Sequence, residues 1–337
     1  MSILAAILPR MLWPRFLAVV VVAGLLQVGC TTSTPRVATT PTLPGWQRAS
    51  PGTEGLDPDV VAQIDRSVKD ELNGITSVLA ARHGRLTIER YYGIRATDQV
   101  PVFSITKTVV SAVVGIAIAE RHLEGVDERL DDIIGAGDPR ITLRDLLSMT
   151  AGYGRALSYG PADASTLATR PLVTPPGTTF RYDSGSSDLL AAILARATGM
   201  NAAEYARRRL FEPLGIRGVV WPGARGASGL LLRPRELLAF GQMYLNHGTW
   251  HGTQIVPASW VRSSTRKHVA IAPDQNLSDG YGYNWWVVSR PPRSYQARGY
   301  LGQTLVVLPG LGEVVAVTSS GSNPFPLVDL IVKATRP

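Results

Sequence analysis

The sequence predicts an α+β fold: an antiparallel sheet, built from strands at both ends of the chain, flanked by helices and interrupted by an inserted all-helical subdomain. Three observations carry this. β-Branched and aromatic runs stand near the beginning, at Ser77 to Ala81 and Leu86 to Tyr92. Runs of the same composition return near the end, at Tyr281 to Val288, Gln303 to Leu308 and Val314 to Thr318. Between them, from about 123 to 279, helical patches are broken by Gly and Pro, most clearly at Ile141 to Met149, Asp188 to Thr198 and Arg235 to Asn246.

The first residues read as a targeting segment. Arg10 and Arg15 precede an apolar run from Phe16 to Leu26, shorter than the roughly 20 residues a spanning helix needs. Residues 1–29 are therefore expected to be a signal peptide, and the protein to be exported. Cys30 follows directly, a placement that resembles a bacterial lipoprotein lipobox, with Gln27 where Leu is usual. The expectation is lipidation of Cys30 and a membrane-anchored lipoprotein of the bacterial cell envelope; ordinary cleavage nearby is the alternative. Residues 30–55, rich in Thr, Pro, Ser and Gly, are expected to form a flexible tether.

The folded domain is expected over 56–337. Val60, Val61, Ile64, Val68 and Leu72 recur at helical spacing until Asn73-Gly74 stops them. Arg82-His83-Gly84-Arg85 separates two β-type runs and reads as a hairpin turn. Ile105 to Glu120 is apolar on nearly every side, which predicts a central buried helix in which Lys107 is the one charge before the end. Leu327 to Lys333 can close the chain as a helix.

Composition excludes several function classes. The chain has 337 residues, 45% hydrophobic and 18% charged, enough for one large core and unlike a disordered protein. The net charge of +8 is spread along the sequence apart from Arg207, Arg208 and Arg209, which read as a solvated helix face, so no nucleic-acid partner is expected. A single cysteine excludes an internal disulfide and a multi-cysteine metal site. His247 and His251 flank Gly248 in a turn-like context, and no metal or organic cofactor is implied. Neither a phosphate-binding Gly-rich loop with Lys nor a Gly-x-Ser-x-Gly elbow occurs.

Two Ser-x-x-Lys patterns are present, Ser104/Lys107 and Ser264/Lys267. Residues three apart on a helix share a face, and a neutral lysine amine can take the proton of a serine hydroxyl if burial lowers its pKa. Ser264 sits among Arg262, Arg266, Lys267 and His268, where a lysine is expected to be solvated. Lys107 opens an apolar helix, where an unpaired ammonium would cost several kcal/mol. From the residues alone, this lysine either serves the hydroxyl or snorkels to solvent from the first turn. A serine at a helix start also offers its own backbone N–H and the positive helix end to an oxyanion.

Val102-Phe103-Ser104-Ile105-Thr106-Lys107-Thr108 resembles the first motif of the serine β-lactamase-related superfamily, which includes class C β-lactamases, DD-peptidases and related esterases. Leu143 to Gly152 is similar to its LLxMTSG segment, with Ala151 for Ser, and Leu210 to Gly215 to its FxPLG turn. Tyr182-Asp183-Ser184 stands where the family has Tyr-x-Asn. Gly280 to Trp286 and Ala297 to Gln303 resemble its final strands. The resemblance runs in order over most of 56–337 and implies a β-lactamase/transpeptidase-like fold.

It also implies roles: Ser104 as nucleophile, Lys107 as base, Tyr182 as a proton shuttle, and the backbone N–H of Tyr300, after Gly299, as a second oxyanion donor. Ser184 replaces the asparagine that helps hold a β-lactam amide, which weighs against penicillin binding. In the third motif Ala297-Arg298-Gly299 replaces Lys-Thr-Gly or His-x-Gly, so the cation that faces a carboxylate is missing in that register; Arg298 is the candidate substitute, although alternation along a strand turns it to the other face. Both departures resemble the branch of 6-aminohexanoate-dimer hydrolases and carboxylesterases. The expected function is hydrolysis of a small ester or amide through a Ser104 acyl-enzyme. A β-lactamase or peptidoglycan DD-peptidase, and a non-catalytic envelope-binding lipoprotein, are the alternatives. Tyr153, Tyr159, Trp285 and Trp286 are candidates for an acyl pocket.

Overall fold

The computed structural model describes residues 45–154, 163–272 and 278–336. Cys30, the expected signal peptide, most of the expected tether and Tyr159 lie outside them.

The sheet has nine strands: β1 (Gln47–Arg48), β2 (Ile75–Arg82), β3 (Arg85–Tyr91), β4 (Val269–Ala270), β5 (Gly280–Tyr281), β6 (Trp286–Val288), β7 (Ser294–Gly299), β8 (Gln303–Leu308) and β9 (Glu313–Ser319). Their order is β1-β3-β2-β9-β8-β7-β6-β5-β4. Every pairing is antiparallel except that of β1 with β3, so the sheet is mixed at one edge. The termini meet where β9 pairs with β2, Ala316 opposite Leu79. His83 and Gly84 both have positive φ, 49° and 78°, as a two-residue hairpin turn with the sheet's own twist requires.

Helices cover both faces. On one side α1 (Val60–Asp70) and the closing helix (Phe325–Ala334) pack on Val78, Ala80, Ile88, Val315 and Val317. On the other, α2 (Ile105–Ala119), α3 (Ser184–Thr198) and α4 (Pro234–Leu245) share a core with Leu79, Ala81, Leu305, Val314 and Ala316. The central strands are buried on both faces, which is why they read as continuous apolar runs. Every residue of α2 from Ile105 to Ala117 is buried, Lys107 included. No helix among the described residues is long and apolar enough to cross a membrane.

Three expectations need correction. Residues 45–55 are not all tether: β1 pairs with β3, Trp46 packs edge-on against Trp250 at 5.4 Å, and Glu54 is buried. Nor is 123–279 one inserted helical block, since α4 lies flat on β9, β8 and β2, and β4 is the sheet's far edge. Tyr281 to Val288 is two strands, folded back at Asn284, whose φ is 59°. By contrast, His247 and His251 are turn residues with φ of 54° and 45°. Arg207 and Arg208 pair with Glu204 and Arg209 with Glu120 on an exposed helical surface.

Glu313, at the start of β9, is 0% exposed. Thr335 Oγ1 lies 3.0 Å from its Oε2, while Oε1 finds no partner among the described residues. Burial pushes its carboxyl up from 4.5 to about 7, against smaller lowering effects of the Thr335 hydrogen bond and the Arg82 charge. The folded state therefore holds this proton through a window in which the unfolded chain has released it, and stability falls as pH rises from 4.5 towards 7. Glu313→Gln should remove this dependence. Denaturant unfolding across that range should show the variant gaining on wild type by roughly 3 kcal/mol, with no further gain above the window; parallel curves would contradict it.

Candidate active site

The site is built around the first turn of α2. Phe103, immediately before it, adopts φ 47°, a left-handed conformation that costs on the order of 1–3 kcal/mol for a bulky residue and clusters at functional sites. Ser104 then enters helical geometry (φ −70°, ψ −6°) and its carbonyl accepts from the Lys107 N–H at 3.1 Å. The hydroxyl sits at the helix's positive end, one turn before the lysine.

Lys107 is 1% exposed, so it does not snorkel. Its Nζ lies 3.1 Å from Ser104 Oγ and donates to the Ala227 carbonyl oxygen at 2.8 Å. It also stands 5.2 Å from the centre of the Tyr182 ring. Burial lowers this ammonium from 10.5 to about 8; the carboxylates of Asp188 and Asp183 raise it in opposition, and Arg225 lowers it further. An amine in this state, when neutral, can accept the hydroxyl's proton, which a surface lysine cannot do at ordinary pH.

Tyr182 stacks on Trp286, with ring centres 5.7 Å apart and planes inclined by 19°, and meets Tyr281 edge-on at 6.4 Å. Next to it Asp183 caps α3, accepting from the N–H groups of Gly185 (3.1 Å) and Ser186 (2.8 Å). Arg170 grips the same carboxylate with two bonds, 3.0 and 2.7 Å, and lies over the Tyr153 ring at 4.2 Å. Burial alone would raise Asp183, but the Arg170 bonds and charge, with Ser186, hold it below the usual carboxylate range. A Cβ at Gly185 would fall 2.6 Å from the Arg170 guanidinium, so glycine there admits the clamp.

Ser104, Lys107, Tyr182, Ser184, Gly299 and Tyr300 all line one cavity of about 710 Å³. Tyr300 is 71% exposed at its mouth, edge-on to Phe103 at 5.7 Å. Arg298 borders it too. As alternation requires, its side chain leaves the strand on the face opposite Ala297, between Trp286 (5.0 Å) and Phe325 (5.1 Å), and it donates to Gln296 Oε1 at 2.7 Å.

The family described as Beta-lactamase matches residues 65–333. The chain belongs to that family. Among its relatives, the 6-aminohexanoate-dimer hydrolase of Paenarthrobacter ureafaciens is 24% identical over 289 residues, 74% of either protein. A Bacillus anthracis protein assigned as a 6-aminohexanoate-dimer hydrolase shares the fold with a TM-score of 0.71, at 20% identity over 87% of each chain. A D-stereospecific amidohydrolase from Streptomyces sp. does so at 0.69, with 17% identity, over 82% of this chain and 99% of that one. The fold is β-lactamase/transpeptidase-like.

Within this β-lactamase-family frame, several residues of the site escaped the sequence. Ala227 contributes a backbone carbonyl, which no residue type announces. Arg170 reaches Asp183 from 13 residues earlier in the chain; only the Asp183-x-x-Ser186 capping pattern points to a fixed carboxylate. Of the aromatic candidates, Trp286 lines the cavity, whereas Trp285 is core and the Tyr153 hydroxyl donates to the Ala168 carbonyl at 2.9 Å. The second Ser-x-x-Lys is not a site: the Ser264 hydroxyl donates to Val261 O, and Lys267 binds Asp279 at 2.8 Å.

Gly299 explains how β7 comes so close to Ser104. A Cβ there would lie 2.3 Å from the Val102 carbonyl oxygen, so only glycine lets the strand edge touch the loop before α2. Gly299→Ala should separate the two by a few tenths of an ångström or more and cost about 1–3 kcal/mol of stability. Labelling of Ser104 by a fluorophosphonate should slow by at least tenfold in the folded variant, and wild-type labelling would show that this approach is not needed.

Proposed function

We propose that the protein is a serine hydrolase that cleaves a small ester or amide through an acyl-enzyme on Ser104. The observation that carries this is the buried Lys107 amine, 3.1 Å from the Ser104 hydroxyl at the floor of an open cavity. Lys107, neutral, takes the hydroxyl proton as Ser104 Oγ attacks the substrate carbonyl. The proton passes to the leaving alcohol or amine, with Tyr182 as the shuttle beside Lys107. The N–H groups of Ser104 and Tyr300 are the donors for the oxyanion, the first reinforced by the α2 dipole. Water then reverses the sequence to release the acid.

Amide or ester hydrolysis is preferred over β-lactam turnover because Ser184 stands at the cavity where a longer carboxamide would hold a lactam. The relatives named for amide cleavage support the same choice. p-Nitrophenyl ester or short amide turnover without nitrocefin hydrolysis is the expected result; the reverse would favour a penicillin-recognising enzyme. A fluorophosphonate should label wild type and Ser264→Ala and leave Ser104→Ala unlabelled, with the adduct mapped by mass spectrometry. A wild type that resists every such probe would leave the non-catalytic lipoprotein as the better reading.

The base must be unprotonated, so kcat/KM should rise about tenfold per pH unit below its midpoint near 8 and level off above it. A profile falling through this range would oppose Lys107 as base. Export and a lipid anchor on Cys30 belong to the same proposal: Cys30→Ala should move the protein from the membrane to the soluble fraction, and an unchanged distribution would count against the anchor.

A further inference from the structure

An ion pair between Arg225 and Asp188 stands behind the Lys107 amine. Ala227, whose carbonyl receives the Lys107 amine, is itself held by its N–H, which donates to Asp188 Oδ1 at 2.9 Å. Arg225, two residues earlier, donates to Asp188 Oδ2 at 3.0 Å. Both oxygens of one carboxylate on α3 thus fasten the short turn that carries the Ala227 carbonyl. Gly226 lies between these anchors, and a Cβ on it would fall 1.7 Å from the Ser187 carbonyl oxygen. The turn is therefore pressed flat on the first turns of α3, with no room for slack. Trp221 Nε1 secures the same turn from the other side, donating to Arg225 O at 3.0 Å.

We propose that Asp188 is a positioning residue for Lys107: by holding the 225–228 turn against α3, it aims the Ala227 carbonyl so that the amine stays within reach of Ser104 Oγ. This rests on the reading of Lys107 as the base. Asp188 touches neither the hydroxyl nor the cavity, and acts through the turn and through its charge. The charged and titratable groups that face the amine are Asp188 and Asp183 from α3, Arg225 from the turn, and Tyr182 across the cavity floor, with Arg170 paired to Asp183. Asp188 favours the ammonium and Arg225 opposes it, so the pair sets the amine's protonation from two sides as well as its place.

These two effects separate experimentally. The readout is the second-order rate of Ser104 labelling by a fluorophosphonate against pH, with thermal unfolding recorded for each protein. Asp188→Asn keeps an acceptor for the Ala227 N–H but removes the charge, and should move the midpoint to lower pH. Arg225→Gln should move it to higher pH. Asp188→Ala, which also frees the turn, should lower the limiting rate at high pH by about 10- to 100-fold, the usual consequence of misplacing a reacting group by an ångström. Midpoints that stay with wild type in both charge variants, or rates that fall only in step with unfolding, would overturn the assignment. If Asp188→Ala does not fold, Gly226→Ala, which lifts the same turn off α3 and keeps both charges, takes its place: an unchanged limiting rate in that folded variant would overturn the assignment. A wild type that fails to label at Ser104 removes the hydrolase reading and this inference together, whereas a labelled wild type with unresponsive variants removes this inference alone.

Discussion

The site depends on one constraint: a lysine amine must be kept out of water without being given a carboxylate to bind. Lys107 is 1% exposed, and its hydrogen-bond partners are a serine hydroxyl and a peptide carbonyl, neither of which carries charge. A direct ion pair would fix the ammonium and end its use as a base; full isolation would make the charged form cost several kcal/mol. The fold takes an intermediate course. Asp183 and Asp188 act through space, each already engaged by an arginine, so their fields are felt while their oxygens are occupied. The amine is thereby left near the balance point between its two protonation states.

Holding that balance requires close backbone approaches, and these explain three glycines by contact. Gly299 lets β7 reach the Val102 carbonyl, Gly185 admits the Arg170 guanidinium, and Gly226 lets the 225–228 turn lie on α3. Each joins a different segment to the first turn of α2 or to the helix beside it. Alanine at any of them would put a carbon inside van der Waals contact and force one of the partners outward. The layers outside this centre need only be apolar and of suitable volume, a looser requirement met by β9 and β2 with Val, Ala and Leu on both faces.

How far the sequence revealed this follows from the kind of information each part carries. α2 was legible because a helix apolar on every side can only be central, and the β2–β3 hairpin because His83-Gly84 interrupts two β-type runs. The assembly of Ser104, Lys107, Tyr182 and Tyr300 around one cavity was legible through motif order. The layer to which α4 belongs was not, since periodicity fixes a helix and its apolar face but not which surface meets it. β7 was read only at its end, from Ala297, through the motif resemblance: Ser294-Tyr-Gln-Ala-Arg-Gly alternates polar and apolar residues but carries no β-branched residue. The break at Asn284 was hidden within an aromatic run. The Ala227 carbonyl and the two arginine–aspartate clamps are tertiary facts, set by segments that local pattern cannot pair.

The two copies of Ser-x-x-Lys show what turns a pattern into chemistry. Both serines stand three residues before a lysine, so spacing does not distinguish them; the backbone does in part, since Ser104 opens α2 whereas Ser264 lies in the last turn of the helix Ala258–Thr265 and Lys267 falls beyond it. Ser264 is fully buried and its hydroxyl is taken by Val261 O. Lys267 has its side chain 40% exposed and ends on Asp279. Ser104 is partly exposed to a cavity while its lysine is buried to within 1%, the reverse arrangement on both counts. A nucleophile must meet substrate and its base must not meet water. That asymmetry, rather than the spacing, separates the reactive pair from the inert one.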